Sequence, residues 1–258
     1  MQRSRNLWLV IGLFSLVVTL LLAGGFGYAI KDILYPQASP ILSGPVGNSA
    51  PLKADKVQLV GIGDSLTKGT GDETGKGYIG YVKEYLEPVV GQPVNVIGNM
   101  AVGGHRTDQL LELLEQKGVR YTLRQANMIV LTIGGNDLFN LGQDEVDVSV
   151  IEQRMPDALK RLETILATVN ELNPKAELYY VGLYNPFAEL DNGAQSSLAV
   201  QQWNAAVFAL LNQYPQMTFV PSYDLFTKNL KEYLSADQFH PNQMGYERIA
   251  KRIVQVIE

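Results

Sequence analysis

From residue 56 to the C-terminus, short and nearly continuous apolar runs alternate with longer stretches in which apolar residues recur every three or four positions. The runs "KVQLVGIG" (56–63), "PVNVIGNM" (93–100), "NMIVLTIGG" (127–135), "AELYYVGLY" (176–184) and "MTFVPSY" (217–223) are rich in Val, Ile and Tyr and predict five strands. Between them, "YIGYVKEYLEPVV", "TDQLLELLEQKG", the stretch from about 150 to 171, "SSLAVQQWNAAVFALLNQY" and a last segment from Gln243 predict helices. In the second of these, Leu110, Leu113 and Leu114 recur at helical spacing. Strands that are apolar throughout, alternating with helices, belong to a parallel sheet covered on both faces. The expected fold is α/β: a three-layer α/β/α sandwich around a central five-stranded, mostly parallel sheet.

Ahead of this domain the pattern changes twice. Leu7 to Ile30 run 24 positions without a charge and without a polar face, long enough to span a bilayer. Arg3 and Arg5 precede the run and a long domain follows it, which predicts a cytoplasmic N-terminus and an external C-terminal domain. We therefore expect residues 1–32 to be an uncleaved signal-anchor, one transmembrane helix holding the protein at the cell membrane. The alternative is secretion after cleavage behind Ala29 in "FGYA". Residues 33–55 include "PQASPILSGPVGNSAPLKAD", with four prolines and no periodicity, and read as a linker. The folded domain is expected over 56–258.

Composition narrows the chemistry. At 258 residues, 46% hydrophobic and 18% charged, the chain can build one substantial domain plus an appendage. The absence of cysteine excludes disulfides, thiolate metal sites, thiol nucleophiles and a lipid-modified N-terminal cysteine. Net charge is −5; beyond residue 32 the chain carries 18 basic and 25 acidic residues, or −7, so nucleic acid is not an expected partner. Two histidines are too few for a His-rich zinc site.

In open α/β sheets, functional groups gather beyond the carboxyl ends of the strands. Here those loops read "GDSLTKGTG", "GNMAVGGHRT" and "GGNDLFN". The first is not a P-loop, since Thr70 and Gly77 stand where that motif needs glycine and a hydroxyl. Nor is it a dinucleotide loop, which needs glycine at Leu66, or a G-x-S-x-G elbow, which needs glycine at Thr67. A catalytic Ser65 needs a base, and histidine is the usual one. His240 lies three residues after Asp237 in "SADQFHPNQMG", a spacing that lets the carboxylate reach Nδ1 and leaves Nε2 free for a serine proton. Oxyanion donors can come from the Ser65 N–H, from Gly104, whose backbone is unobstructed, and from the Asn136 amide.

At these residues the sequence resembles the SGNH (GDSL-type) serine hydrolases and esterases. The resemblance rests on "GDSLT" at 63–67, "NMAVGG" at 99–104, "GGND" at 134–137 and "DQFHP" at 237–241, in the family's order, and covers the chain from about Val57 onward. It implies a flavodoxin-like sandwich, Ser65 as nucleophile and first oxyanion donor, Gly104 and Asn136 as further donors, His240 as base and Asp237 as its orienting acid. It implies no metal and no organic cofactor. The second block departs from the family pattern in placing the bulky His105 beside Gly104.

Simpler roles stand beside these. Asp64 and Ser65 suit a helix cap, Asn136 a turn, and Asp237 an N-cap near the last helix. His105 reads as surface or pocket lining, with Asp108 three residues on as the acid of a rival pair. Tyr179, Tyr180 and Tyr184 read as strand packing rather than a substrate platform, although Tyr184-Asn185-Pro186-Phe187, which follows the fourth strand, can border a pocket. The expected function is hydrolysis of carboxylic esters, with lipid or lysophospholipid acyl esters favoured near a membrane. The alternatives are an O-acetyl esterase acting on envelope polysaccharide and, in another class, a non-catalytic envelope-binding module.

Overall fold

Each apolar run contains a strand: β1 Val57–Gly63, β2 Val94–Asn99, β3 Met128–Thr132, β4 Glu177–Val181 and β5 Met217–Val220. In the computed structural model, which describes residues 12, 13, 15–22, 55–139 and 148–257, they form one sheet in the order β2-β1-β3-β4-β5. Every neighbouring pair is parallel. The strands stop short of the apolar runs because the chain turns as it leaves the sheet. Beyond β3, for example, the Ile133 carbonyl accepts from the Tyr180 hydroxyl at 2.5 Å instead of continuing the ladder.

Alternate residues of each strand face opposite layers. Val60, Ile62, Ile129, Leu131 and Tyr180 pack on one side, against α3 (Thr107–Leu114), α4 (Lys117–Gln125), α6 (Val148–Leu172) and α7 (Gly193–Leu211). Val57, Leu59, Met128, Val130 and Tyr179 pack on the other, against α2 (Gly77–Val90) and α9 (Gln243–Ile257). The five-stranded parallel sheet with helices on both faces is the expected α/β architecture.

Two details differ from the sequence reading. The helix expected over 107–118 ends at Leu114, where Gln116 turns extended, and α4 begins at Lys117. That second helix left little signal because it buries only Val119 and Leu123 on an otherwise polar stretch. Three more helices are one turn long, too short to show a period: α1 (Ser65–Lys68), α5 (Gly135–Leu138) and α8 (Leu230–Tyr233).

The strand order places the candidate site. The chain leaves β1 toward β2 on one side and β3 lies on the other, so the loops after β1 and β3 diverge and open a crevice at this switch point.

The chain divides into two units, Met1–Val46 and Gly47–Glu258. In the first, residues 12, 13 and 15–22 are helical, and Leu13, Leu16, Leu20, Leu21 and Leu22 are exposed. No helix among the described residues is long and apolar enough to cross a membrane. Most of the expected span 7–30, and the linker to residue 54, lie outside the described residues.

Candidate active site

Ser65 is the first residue of α1, where β1 turns into helix. Gly63 makes the turn possible: its φ is +127°, and a Cβ there would sit 1.8 Å from the Thr132 carbonyl oxygen. Asp64 caps the helix, its Oδ1 accepting from the Leu66 N–H at 3.1 Å. The capping role read from the sequence is thus real and falls to Asp64. The Ser65 amide, in the first turn, has no acceptor within the helix.

A buried chain of hydroxyls fixes this turn from below. The Thr132 hydroxyl donates to Asp64 Oδ1 at 2.7 Å and therefore accepts from the Thr67 hydroxyl at 2.7 Å and the Thr67 N–H at 3.2 Å. Thr67 in turn accepts from the Tyr78 hydroxyl. Burial pushes the Asp64 carboxyl above its usual range, against the Thr132 and Leu66 hydrogen bonds that favour its charge. Tyr78 and Thr132 carry no motif, and Thr67, although it ends the "GDSLT" block, gives no sign in the sequence of the hydroxyls it meets.

His240 stands over Ser65, with Nε2 at 2.8 Å from Oγ and Nδ1 at 2.6 Å from Asp237 Oδ2. The predicted three residues are therefore joined in one hydrogen-bonded line. Asp237 is not the cap of the last helix; Asn242 is, accepting from the Gly245 N–H. Asp237 instead organises the turn that carries His240. Its Oδ1 accepts from the Phe239 and His240 N–H groups, both at 2.9 Å, and from the Ser235 hydroxyl at 2.8 Å. Partial burial opposes ionisation of Asp237, but the His240 ring N–H and these donors outweigh it and hold the carboxyl down to about 2. Tyr184 fastens the turn from the β4 side, donating to the Phe239 carbonyl at 2.5 Å and stacking on Phe226 at 4.1 Å.

The second loop reaches Ser65 because β2 continues its pairing beyond Asn99: the Met100 and Val102 N–H groups donate to Gly61 and Gly63. The Asn99 amide also donates to the Thr67 carbonyl at 2.8 Å. Val102 to His105 then close a turn, with the His105 N–H bonded to the Val102 carbonyl and Gly104 at φ +81°. A type II turn requires such a residue at its third position, and glycine adopts it without cost. A Cβ on Gly103 would lie 4.0 Å from that of Ser65, so the turn closely borders the serine.

Asn136 lies in α5, after β3, and its Nδ2 donates to the His105 carbonyl at 2.8 Å. One amide hydrogen thus locks the side chain, leaving the other for a ligand. His105 takes part through its backbone rather than as a rival base. Asp108, the acid it would need, pairs with Arg106 at 3.2 Å. The neighbouring Asp137, buried, ties the two loops together by accepting from the Thr107 N–H at 2.9 Å and hydroxyl at 2.6 Å.

Ser65 and Asn136 open onto a cleft of about 20 Å³ whose walls include Leu66, Phe139, Leu183, Tyr184, Pro186 and Phe239. An ester seated there meets an imidazole able to take the serine proton and amide donors for a developing oxyanion, against an apolar wall. Among the described residues no three His, Asp or Glu side chains converge as metal ligands.

Comparison with known proteins points to an ester-hydrolysing family. The model of the GDSL-like Lipase/Acylhydrolase family matches residues 62–248. The chain is similar to the uncharacterized protein YpmR of Bacillus subtilis, 35% identical over 210 residues that cover 79% of this chain and 82% of that protein. It is similar to the spore germination lipase LipC of Bacillus licheniformis, 26% identical over 76% of this chain and 94% of that one. Among solved structures, the lipase Lip_vut3 from a goat rumen metagenome superposes with a TM-score of 0.68 at 25% identity, over 78% of this chain and 100% of its own.

Proposed function

The chain belongs to the GDSL-like lipase/acylhydrolase family and is an ester-hydrolysing enzyme rather than a mere binding module, and on that premise we propose that it works through an acyl-enzyme on Ser65. The observation that carries this reading is the unbroken line from Ser65 Oγ through both nitrogens of His240 to Asp237. Ser65 attacks the ester carbonyl as His240 Nε2 takes its proton; the imidazolium, held by Asp237, then protonates the departing alcohol. Water enters next, gives a proton to His240, and displaces the acyl group from Ser65, which recovers its proton. The Ser65 and Gly104 N–H groups and the free hydrogen of Asn136 receive the oxyanion, each donor contributing about 3 kcal/mol.

The apolar wall supports an acyl ester as substrate, and two similar proteins are named lipases. We favour a lipid or lysophospholipid acyl ester, presented to a domain held outside the membrane by residues 7–30. The exposed leucines between 13 and 22 support that placement. One observation favours a second reading, an O-acetyl esterase acting on an envelope polysaccharide: a cleft of about 20 Å³ holds little more than one water-sized group.

Hydrolysis of p-nitrophenyl esters from acetate to palmitate by the full-length protein, beside Ser65→Ala and His240→Ala, tests both. Activity in the wild type and near-complete loss in the variants is expected. A long-chain optimum favours the lipid and an acetate optimum the acetylated polymer; undiminished activity in Ser65→Ala would overturn the mechanism.

A further inference from the structure

Asn136 also lines a second, larger cavity, of about 280 Å³, together with Arg106, Asp137, Arg154 and Arg161. Its volume is close to the lower end of small-molecule sites, ~300 Å³. In character it is the opposite of the first: polar, and walled by three guanidinium groups in a chain whose net charge is −5.

The three arginines are placed by different parts of the fold. Arg106 precedes α3. Arg154 and Arg161 lie seven residues apart on α6, two turns and therefore on one face. Their obligations also differ. Arg161 is structural in part: Nε donates to the Thr107 hydroxyl at 2.8 Å and Nη2 to Asp137 Oδ1 at 3.4 Å. Arg106 gives one nitrogen to Asp108 at 3.2 Å. Arg154 makes no hydrogen bond or ion pair with the described residues. Counting Asp108 and Asp137 against the three arginines leaves a net positive charge, with several N–H donors unspent. Asp137 offers little repulsion to an incoming anion, because both its oxygens are engaged by Thr107 and Arg161 and its side chain is 1% exposed.

Guanidinium groups are always charged, and their fork of donors matches tetrahedral oxyanions. We propose that this cavity binds a phosphate group carried by the alcohol portion of the ester substrate. The inference rests on the acyl-enzyme reading, in which the apolar cleft takes the acyl group and leaves the polar remainder of the substrate to be seated elsewhere. Asn136 belongs to both cavities, so a phosphate seated among the arginines places the ester bond beside the oxyanion donors. Selectivity for phosphate-bearing esters follows from this arrangement. The phosphate belongs either to a lipid headgroup or to a water-soluble phosphate ester.

Binding and turnover test this separately, on the full-length protein. In calorimetry, glycerol 3-phosphate binds the wild type and plain glycerol does not; Arg154→Gln and Arg106→Gln each weaken binding by roughly tenfold, about 1.4 kcal/mol. Both arginines are exposed, so folding is retained, and a matching circular dichroism spectrum checks it. In turnover, acetyl glycerol 3-phosphate exceeds acetylglycerol in kcat/KM, and that ratio falls by roughly tenfold in Arg154→Gln. Preference for long-chain acyl glycerol 3-phosphate over the acetyl compound assigns the phosphate to a lipid headgroup; the reverse assigns it to a soluble ester. Equal binding of glycerol and glycerol 3-phosphate, or a ratio that Arg154→Gln does not change, overturns the proposal. Phosphate binding that survives in a protein inactive on every ester would instead refute the acyl-enzyme reading and keep the anion site.

Discussion

The two halves of the site are built in contrasting ways. Ser65 is 4% exposed and rests on Asp64, Thr132, Thr67 and Tyr78, a hydrogen-bonded chain sealed between sheet and helix. His240 and Asp237 sit on an irregular turn, where the Asp237 side chain is 46% exposed and the bonds made by Asp237 and Ser235 span five residues or fewer, while the distant Tyr184 fastens the turn from the β4 side. Ser65 is held by the core, whereas His240 is held mainly by its own neighbourhood. Substitutions under Ser65 should therefore cost stability as well as activity, and substitutions in the turn should cost activity with little loss of fold.

The largest effect is expected from Ser65→Ala, which should lower kcat on the order of 10⁶-fold, the scale seen when a triad nucleophile is removed. Steady-state kinetics on p-nitrophenyl acetate reads it. Asp237→Asn keeps the size of the side chain but turns His240 toward the wrong tautomer, and should lower kcat by roughly 10⁴-fold. The same residue gives the turn a pH signature. Because its folded pKa is about 2, below the ~3.9 of a free aspartate, its stabilisation is fully present above pH ~4. It is lost as pH falls through about 2. The Phe239 and His240 amide resonances, followed by NMR as pH is lowered, should show this local limb in the wild type and lack it in Asp237→Asn.

Asn136→Ala should cost about 10²–10³-fold in kcat, with KM little changed, if its amide acts on the transition state. A change confined to KM would make Asn136 a ground-state contact instead. Below Ser65, Thr132→Val removes a hydroxyl shared by Asp64 and Thr67, and should destabilise by about 1–3 kcal/mol in urea denaturation. A neutral result there would erase the contrast between the halves. Smallest is Gln238→Gly. Gln238 holds a left-handed φ of +55°, so glycine relieves strain but frees the unfolded chain, and the net change should stay below ~1 kcal/mol. A large loss of activity would show that Gln238, and not the Asp237 hydrogen bonds, shapes the turn.

The same contrast explains what could be read from the sequence. The strands were legible because each is a buried apolar run, and the loops of Ser65, Gly104 and Asn136 because each is a glycine-punctuated segment beyond the end of a strand. Asp237 and His240 were readable as a pair since three residues separate them. Thr132 and Tyr78 were not, because a hydroxyl in a strand or helix gives no sign of its partner 65 or 11 residues away. Arg106, Arg154 and Arg161 escaped for a related reason: two elements remote in sequence converge only in the fold. The one-turn helices α1 and α5, which aim Ser65 and Asn136, are set by capping and glycine geometry rather than periodicity.

The central claim is that Ser65 is a nucleophile activated by His240. The most direct test is labelling of the full-length protein with a fluorophosphonate, followed by mass mapping of the modified peptide. A single adduct on Ser65, lost in Ser65→Ala and strongly slowed in His240→Ala, is the predicted result. An unlabelled protein, or an adduct elsewhere that persists in Ser65→Ala, would contradict it.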